Sequence, residues 1–98
     1  LVGNSSCGLA EAPLFRLPAV NVGRRQLGRE HTSNVQFVAH DAAAIRAALE
    51  RAVFDEEYRA EVATCESPYG DGHAGERIAD IVSRLEIDER LLDKRLAF

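Results

Sequence analysis

Little in this sequence favours a polyanion, a bilayer or an oxidising compartment. Lysine and arginine number 12 against 16 aspartates and glutamates, a net charge of −4 over 98 residues. That balance gives no support for binding nucleic acid or an acidic membrane surface. The longest apolar runs fall far short of the roughly 20 residues a membrane-spanning helix needs. Two cysteines, Cys7 and Cys65, form no disulfide framework, and the expected setting is a reducing cytoplasm. No internal repeat or low-complexity tract is visible. Asp71 and His73 have the chemistry of metal ligands, but two donors without a third make a weak site. No metal and no cofactor is expected. Residue 1 is not read as a native N-terminus, so the lack of a leader says little.

What the chain does have is concentrated at its start. Leu1 and Val2 read as the end of a buried strand, Gly3-Asn4-Ser5-Ser6 as a tight polar turn, and Cys7 onward as the first turn of a helix. Such a helix aims unpaired N–H groups and its positive dipole end at whatever sits above the sheet. Two hydroxyls, Ser5 and Ser6, with free N–H groups and a glycine, Gly8, that allows close approach, make a candidate phosphate site. Glu11 follows about one and a half turns later, placed to accept hydrogen bonds from a neutral diol such as a ribose. A thiol at this helix start, Cys7, is expected to be somewhat acidified. It is read as a small buried residue and not as a nucleophile.

The rest follows in order. Helix one is expected from about Cys7 to Phe15, with Leu9, Ala12 and Phe15 on one face and Pro13 bending or shortening it. Leu17 to Gly23 reads as a strand buried on both faces, with Pro18 at its first residue. Strand, helix, strand in about two dozen residues is a βαβ unit. Residues 24–33 form a basic loop at the carboxyl end of that strand, where open α/β sheets bind ligands. Arg24, Arg25 and Arg29 lie there beside Gln26 and Glu30, and arginine's planar fork suits a diphosphate. Asn34 to Val38 is a third short strand with Val35 and Phe37 on one face.

Asp41 caps an expected helix over about 42–53, with Ile45, Ala48, Leu49 and Ala52 as its apolar stripe. His40 reads as a loop or capping residue. Asp55 opens another helix to about Thr64, with Phe54, Tyr58, Val62 and Cys65 in line and Tyr58 as a packing residue. Ser67 to Gly72 is a turn. Asp71 caps a helix over about 73–85 whose Ile78, Ile81, Val82 and Leu85 face inward. Ile87 and Leu92 bracket Asp88 as a hydrophobic staple, and a last short helix is expected over about 89–96. Glu57 and Glu61 read as a solvated helix face, so no catalytic carboxylate pair is expected.

The wording Gly3-Asn4-Ser5-Ser6-Cys7-Gly8, Glu11-Ala12-Pro13, Pro18-Ala19-Val20-Asn21-Val22-Gly23, Arg25-Gln26, Gly28-Arg29-Glu30 and Pro68-Tyr69-Gly70-Asp71-Gly72 resembles the C-terminal part of UDP-N-acetylglucosamine 2-epimerases. It is closer to their hydrolysing branch, and the resemblance runs from residue 1 to about residue 95. It implies an α/β fold of short parallel strands with flanking helices. The parent would have two Rossmann-like domains, the glycosyltransferase-B arrangement, and residues 1–98 would be the second half of its UDP-binding second domain. Residues 86–98 would be a C-terminal crossover tail. In the family, Arg16 stands where a helix-ending glycine is usual.

The activity so implied is release of UDP and N-acetylmannosamine, for sialic acid synthesis, from UDP-N-acetylglucosamine through a glucal. Ser5, Ser6, Gly8, Glu11 and Arg25 would bind the UDP-sugar. In the family the catalytic acid and base come largely from the first domain, the missing N-terminal one, so the fragment alone is expected to be inactive. A homo-oligomer is expected. Tyr69 and Asp71 would form a rigid turn at the interdomain cleft, and Leu91, Leu92, Leu96 and Phe98 would be partly exposed without the first domain. The alternatives are a non-hydrolysing UDP-sugar 2-epimerase, a related UDP-sugar glycosyltransferase, or a non-catalytic nucleotide-binding module.

Overall fold

The computed structural model describes residues 1–93. Its centre is a parallel sheet of three short strands, β1 (Val2–Gly3), β2 (Ala19–Val22) and β3 (Val35–Val38), in the order β1-β2-β3. Val2 pairs with Val20, and Ala19 to Val22 pair in step with Val35 to Val38. Side chains alternate across a strand, and paired residues of parallel neighbours share a face. One face therefore carries Ala19 and Val35, which pack with Leu9 and Phe37. The other carries Val20 and Gln36, where the Gln36 amide donates to the Ala48 carbonyl. Helices thus cover both faces: α1 (Cys7–Ala10) on the first and α2 (Ala42–Phe54) on the second. This is a partial Rossmann-like α/β unit, as the resemblance implies.

Asp41 and Asp55 each sit just before a helix in extended backbone. They accept N–H bonds from Ala44 at 2.8 Å and Tyr58 at 2.9 Å, starting α2 and α3 (Glu56–Ala63). Caps of this kind are each worth about 1 kcal/mol. Tyr58 and Val62 of α3 are buried, and the Tyr58 hydroxyl donates to the Asn34 carbonyl at 2.9 Å. Burial pushes the Tyr58 phenol upward, so it stays a donor.

Several expectations give way. The first helix is not continuous to Phe15: α1 ends at Ala10, and a 3-10 turn over Ala12–Phe15 carries Pro13 near its start. The tighter turn rotates Phe15 off the Leu9 face, leaving it 78% exposed. Arg16 then takes a left-handed conformation, φ 51° and ψ 40°. The Leu17 N–H reaches the Ala12 carbonyl at 3.0 Å and the Arg16 N–H reaches Pro13 at 2.9 Å. That is a Schellman ending built on arginine instead of glycine. Leu1 and Val2 are exposed, not buried, because β1 lies at an edge of the sheet. Phe54 closes α2 and points to solvent, and Leu49 lies at the margin of its helix's covered face.

The largest departure is α4 (Ala74–Arg84). Its Ile78, Ile81, Val82 and Leu85 share a side at helical spacing, as expected, but they face no core and are about half to two-thirds exposed. The unit is elongated, 59 × 28 × 16 Å, with a radius of gyration of 19.0 Å against roughly 13 Å for a compact domain of 100 residues. Asp88 does cap α5 (Glu89–Leu92), accepting from the Leu91 N–H, yet Ile87 and Leu92 are both exposed and form no staple. The expectations for Leu96, Phe98 and the end of the last helix lie outside the described residues.

Candidate functional site

In a parallel sheet all strands end at one edge, and their following loops gather there. Here that edge carries the Asn4–Ser6 turn after β1, the 23–34 segment after β2, and Ala39 to Asp41 after β3. The turn is held by its own backbone. The Ser5 carbonyl accepts from Gly8, the Ser6 carbonyl accepts from Leu9 and Ala10, and the Ser5 hydroxyl accepts the Cys7 N–H at 3.3 Å. Ser6 is the N-cap of α1, but its side chain makes no capping bond. Its hydroxyl is exposed at the turn. Gly8 is buried, and a Cβ there would come within 3.3 Å of the Ala19 Cβ, so the glycine seats α1 on β2. With four residues, α1 has little macrodipole. What the turn offers a ligand is local N–H and O–H groups and not a helix dipole.

Gly23 opens the second loop at φ +83°, and an added Cβ would lie 2.3 Å from the His40 ring. His40 is thus a loop residue stacked over that glycine. Arg24 and Arg25 are exposed in the next turn, and Gln26 is buried. The Gln26 amide donates to the Asn4 carbonyl at 2.9 Å, which brings the backbone of Arg25 beside the Asn4–Ser6 turn. Arg29 donates to Gln26 Oε1 at 2.9 Å, so it is engaged within the protein. Ser5, Ser6, Gly8 and Arg25 therefore belong to one edge. Glu11 stands one helical turn further along, exposed, and accepts a bond from the Cys7 thiol at 3.3 Å.

That bond corrects the expectation for Cys7. The hydrogen bond to Glu11 raises the thiol's pKa first, with partial desolvation and the carboxylate's charge adding to it. The helix start therefore does not acidify the Cys7 thiol. The second correction concerns Asp71. It does not cap α4; His73 occupies that position without a side-chain cap. Asp71 accepts the His73 N–H and pairs both oxygens with Arg77 at 2.6 and 2.8 Å, and that guanidinium holds its carboxyl below the usual range. The Tyr69 hydroxyl donates to the Glu30 carbonyl at 2.8 Å, tying the 67–72 turn to the second loop. Among the described residues no group of three or more His, Cys, Asp and Glu could hold a metal ion. Nor is any described helix long and apolar enough to cross a membrane.

Sequence reasoning missed two residues that hold these elements together, Gln26 at this edge and Asn34 at the opposite, amino end of β3. Asn34 is fully buried; its amide donates to the carbonyls of Gly8 and Leu17, and its own carbonyl accepts from Ala19 and Tyr58. Gln26 was visible only as part of a motif. A polar residue set against apolar strand positions was the available signal for Asn34.

Comparison with known proteins decides the family. The profile described as UDP-N-acetylglucosamine 2-epimerase matches residues 1–83. The chain belongs to that family. It is 35% identical over all 98 residues to a UDP-N,N'-diacetylbacillosamine 2-epimerase (hydrolyzing) of Legionella pneumophila, of which it covers 25%. It is 49% identical over 35 residues, 36% of the chain and 9% of the relative, to a GDP/UDP-N,N'-diacetylbacillosamine 2-epimerase (hydrolyzing) of Campylobacter jejuni. To a UDP-N-acetylglucosamine 2-epimerase of Neisseria meningitidis it is 36% identical over 52 residues, 53% of the chain and 14% of the relative. The chain therefore spans about a quarter or less of the curated relatives it matches. Two of the three carry the hydrolysing designation.

Proposed function

We propose that the complete protein carrying this chain is a hydrolysing UDP-N-acetylglucosamine 2-epimerase, and that this unit supplies its diphosphate and ribose site. The observation that carries the reading is the Gly3–Gly8 strand–turn–helix, with an exposed Ser6 hydroxyl that caps nothing, in a chain of this family. The relatives named as hydrolyzing support the branch. In the proposed reaction the sugar C1–O bond breaks and its electron pair leaves with UDP. A base from the N-terminal domain removes the C2 proton, leaving a C1=C2 double bond. Water then adds at C1, and a proton returns to the opposite face of C2.

This unit's share is to stabilise the leaving group. Negative charge grows on the β-phosphate as the bond breaks, and Ser5, Ser6, the adjacent N–H groups and Arg25 meet it; Gly8, expected to let the ligand approach, instead lets α1 lie close on β2 beneath that turn. A preorganised donor of this kind contributes about 3–4 kcal/mol in comparable sites. Glu11 accepts from the ribose hydroxyls. A homo-oligomer, a cytoplasmic setting and a 86–98 tail crossing to the first domain belong to the same proposal.

A second substrate has support of its own: the relative aligned over the whole chain is named for diacetylbacillosamine. Incubating the complete protein with each UDP-sugar and following products by proton NMR separates the readings. UDP with free N-acetylmannosamine supports the first. UDP with a free diacetylated sugar from the other substrate alone supports the second. UDP-N-acetylmannosamine overturns hydrolysis. Glu11→Ala is expected to raise the UDP dissociation constant at least about tenfold, or roughly 1.4 kcal/mol. Unchanged affinity by calorimetry removes Glu11 from the site.

A further inference from the structure

We propose that Gln26 is a positioning residue that sets the shape of the diphosphate turn through Asn4, without touching the ligand. The inference rests on the diphosphate reading above and adds a residue to it. Gln26 is 2% exposed, between exposed neighbours Arg25 and Leu27. Both ends of its amide are used: Nε2 donates to the Asn4 carbonyl and Oε1 accepts from Arg29. The orientation is forced, since a carbonyl cannot donate and a guanidinium cannot accept. A buried amide satisfied at both ends specifies one arrangement of the two loops it joins.

The consequence for the turn follows from peptide geometry. The Asn4 carbonyl and the Ser5 N–H share one rigid plane and point in opposite directions. Fixing the carbonyl on Gln26 fixes the direction of the Ser5 N–H. Freed from Gln26, the plane can rotate and present a carbonyl oxygen to the phosphates, replacing a donor with a repelling acceptor. The Oε1 bond also holds Arg29, a cation, on the same loop.

The test compares UDP with uridine, which lacks the phosphates, by calorimetry on the complete protein. Gln26→Leu is expected to weaken UDP by about tenfold or more while uridine changes by no more than about twofold. Gln26→Glu keeps the Arg29 partner but loses the donor to Asn4, and should weaken UDP as much. It also decides the matter if the leucine variant does not fold. Arg29→Ala leaves the Asn4 bond and should cost less. UDP and uridine weakening together, with a lower melting temperature, would reduce Gln26 to a structural staple. Unchanged UDP affinity in both folded Gln26 variants would overturn the proposal. If the unmodified protein bound no UDP, the diphosphate reading itself would fall, and this inference with it.

Discussion

Replacing Asn34 by alanine should unfasten α1 from the sheet. The side chain is fully buried, and its amide donates to the Gly8 carbonyl at 3.1 Å and the Leu17 carbonyl at 3.0 Å. Alanine keeps the main-chain bonds to Ala19 and Tyr58 and deletes these two. A buried carbonyl left without its donor costs about 1–3 kcal/mol. Part of that is offset, because Asn34 Oδ1 is itself buried with no hydrogen-bond partner. The net expectation is about 2–4 kcal/mol, or a roughly 30- to 900-fold increase in local opening. Hydrogen exchange on the complete protein, read on peptides covering residues 1–22, measures it, with α2 peptides as an internal control. Asn34→Asp adds a sign. Its carboxylate would face two carbonyl oxygens in a dry site, so both desolvation and repulsion raise its folded pKa above the unfolded value. Stability would then be highest below the ordinary carboxylate range, falling by about 1.4 kcal/mol per pH unit up to the raised value. Acidification should restore protection, relative to intrinsic exchange, in Asn34→Asp and not in Asn34→Ala. Protection of 1–22 within about threefold of the original in the alanine variant would refute the reasoning, since losing one buried and one part-buried bond cannot cost so little.

Two further perturbations test other joints. Gly23→Ala should destabilise by about 1–2 kcal/mol from its left-handed backbone alone, with an added contribution from His40, whose ring lies 2.3 Å from the new Cβ. Adding His40→Ala should recover only the second part, and full recovery in thermal melts would show that the backbone conformation is not limiting. In a Cys65→Ser background, Cys7 should alkylate slowly near pH 8, because its hydrogen bond to Glu11 disfavours the thiolate. Glu11→Ala should speed it, and an unchanged rate would mean that the contact does not govern the thiol.

The sheet and the helix starts were legible because their signals are local. Asp41 and Asp55 announce α2 and α3 by side-chain chemistry acting within three residues. The run from Leu17 to Gly23 reads as a buried strand from its apolar content alone, and β2 lies within it. The turn at Asn4–Ser6 was legible for the same reason. What was not legible depends on partners distant in sequence. Gln26 acquires its role from a carbonyl 22 residues away, and Asn34 from one 26 residues away. Cys7 was misread because the general rule for helix starts ignores the carboxylate at i+4, which outweighs a four-residue helix. Phe15 was misread because Pro13 switches the helical period from 3.6 to 3.0 residues.

The apolar stripe of α4 shows how far a local signal reaches. Its periodicity gives the helix and its face correctly, but not what lies against it. The 67–72 turn links to the rest through Tyr69 to Glu30 and through the exposed Asp71–Arg77 pair. An exposed ion pair is screened by water and salt and positions a helix weakly. Fully burying an Ile, Val or Leu is worth about 1.5–3 kcal/mol. With Ile78, Ile81, Val82 and Leu85 about half to two-thirds exposed, covering the stripe is worth about 4–7 kcal/mol. That is comparable with the whole stability of a small domain. The stripe therefore carries more free energy than the turn that leads into it, and that turn alone holds α4 weakly. The side-chain bond from the turn before α4 to the loop edge, Tyr69 to Glu30, joins the turn and not the helix itself to that edge.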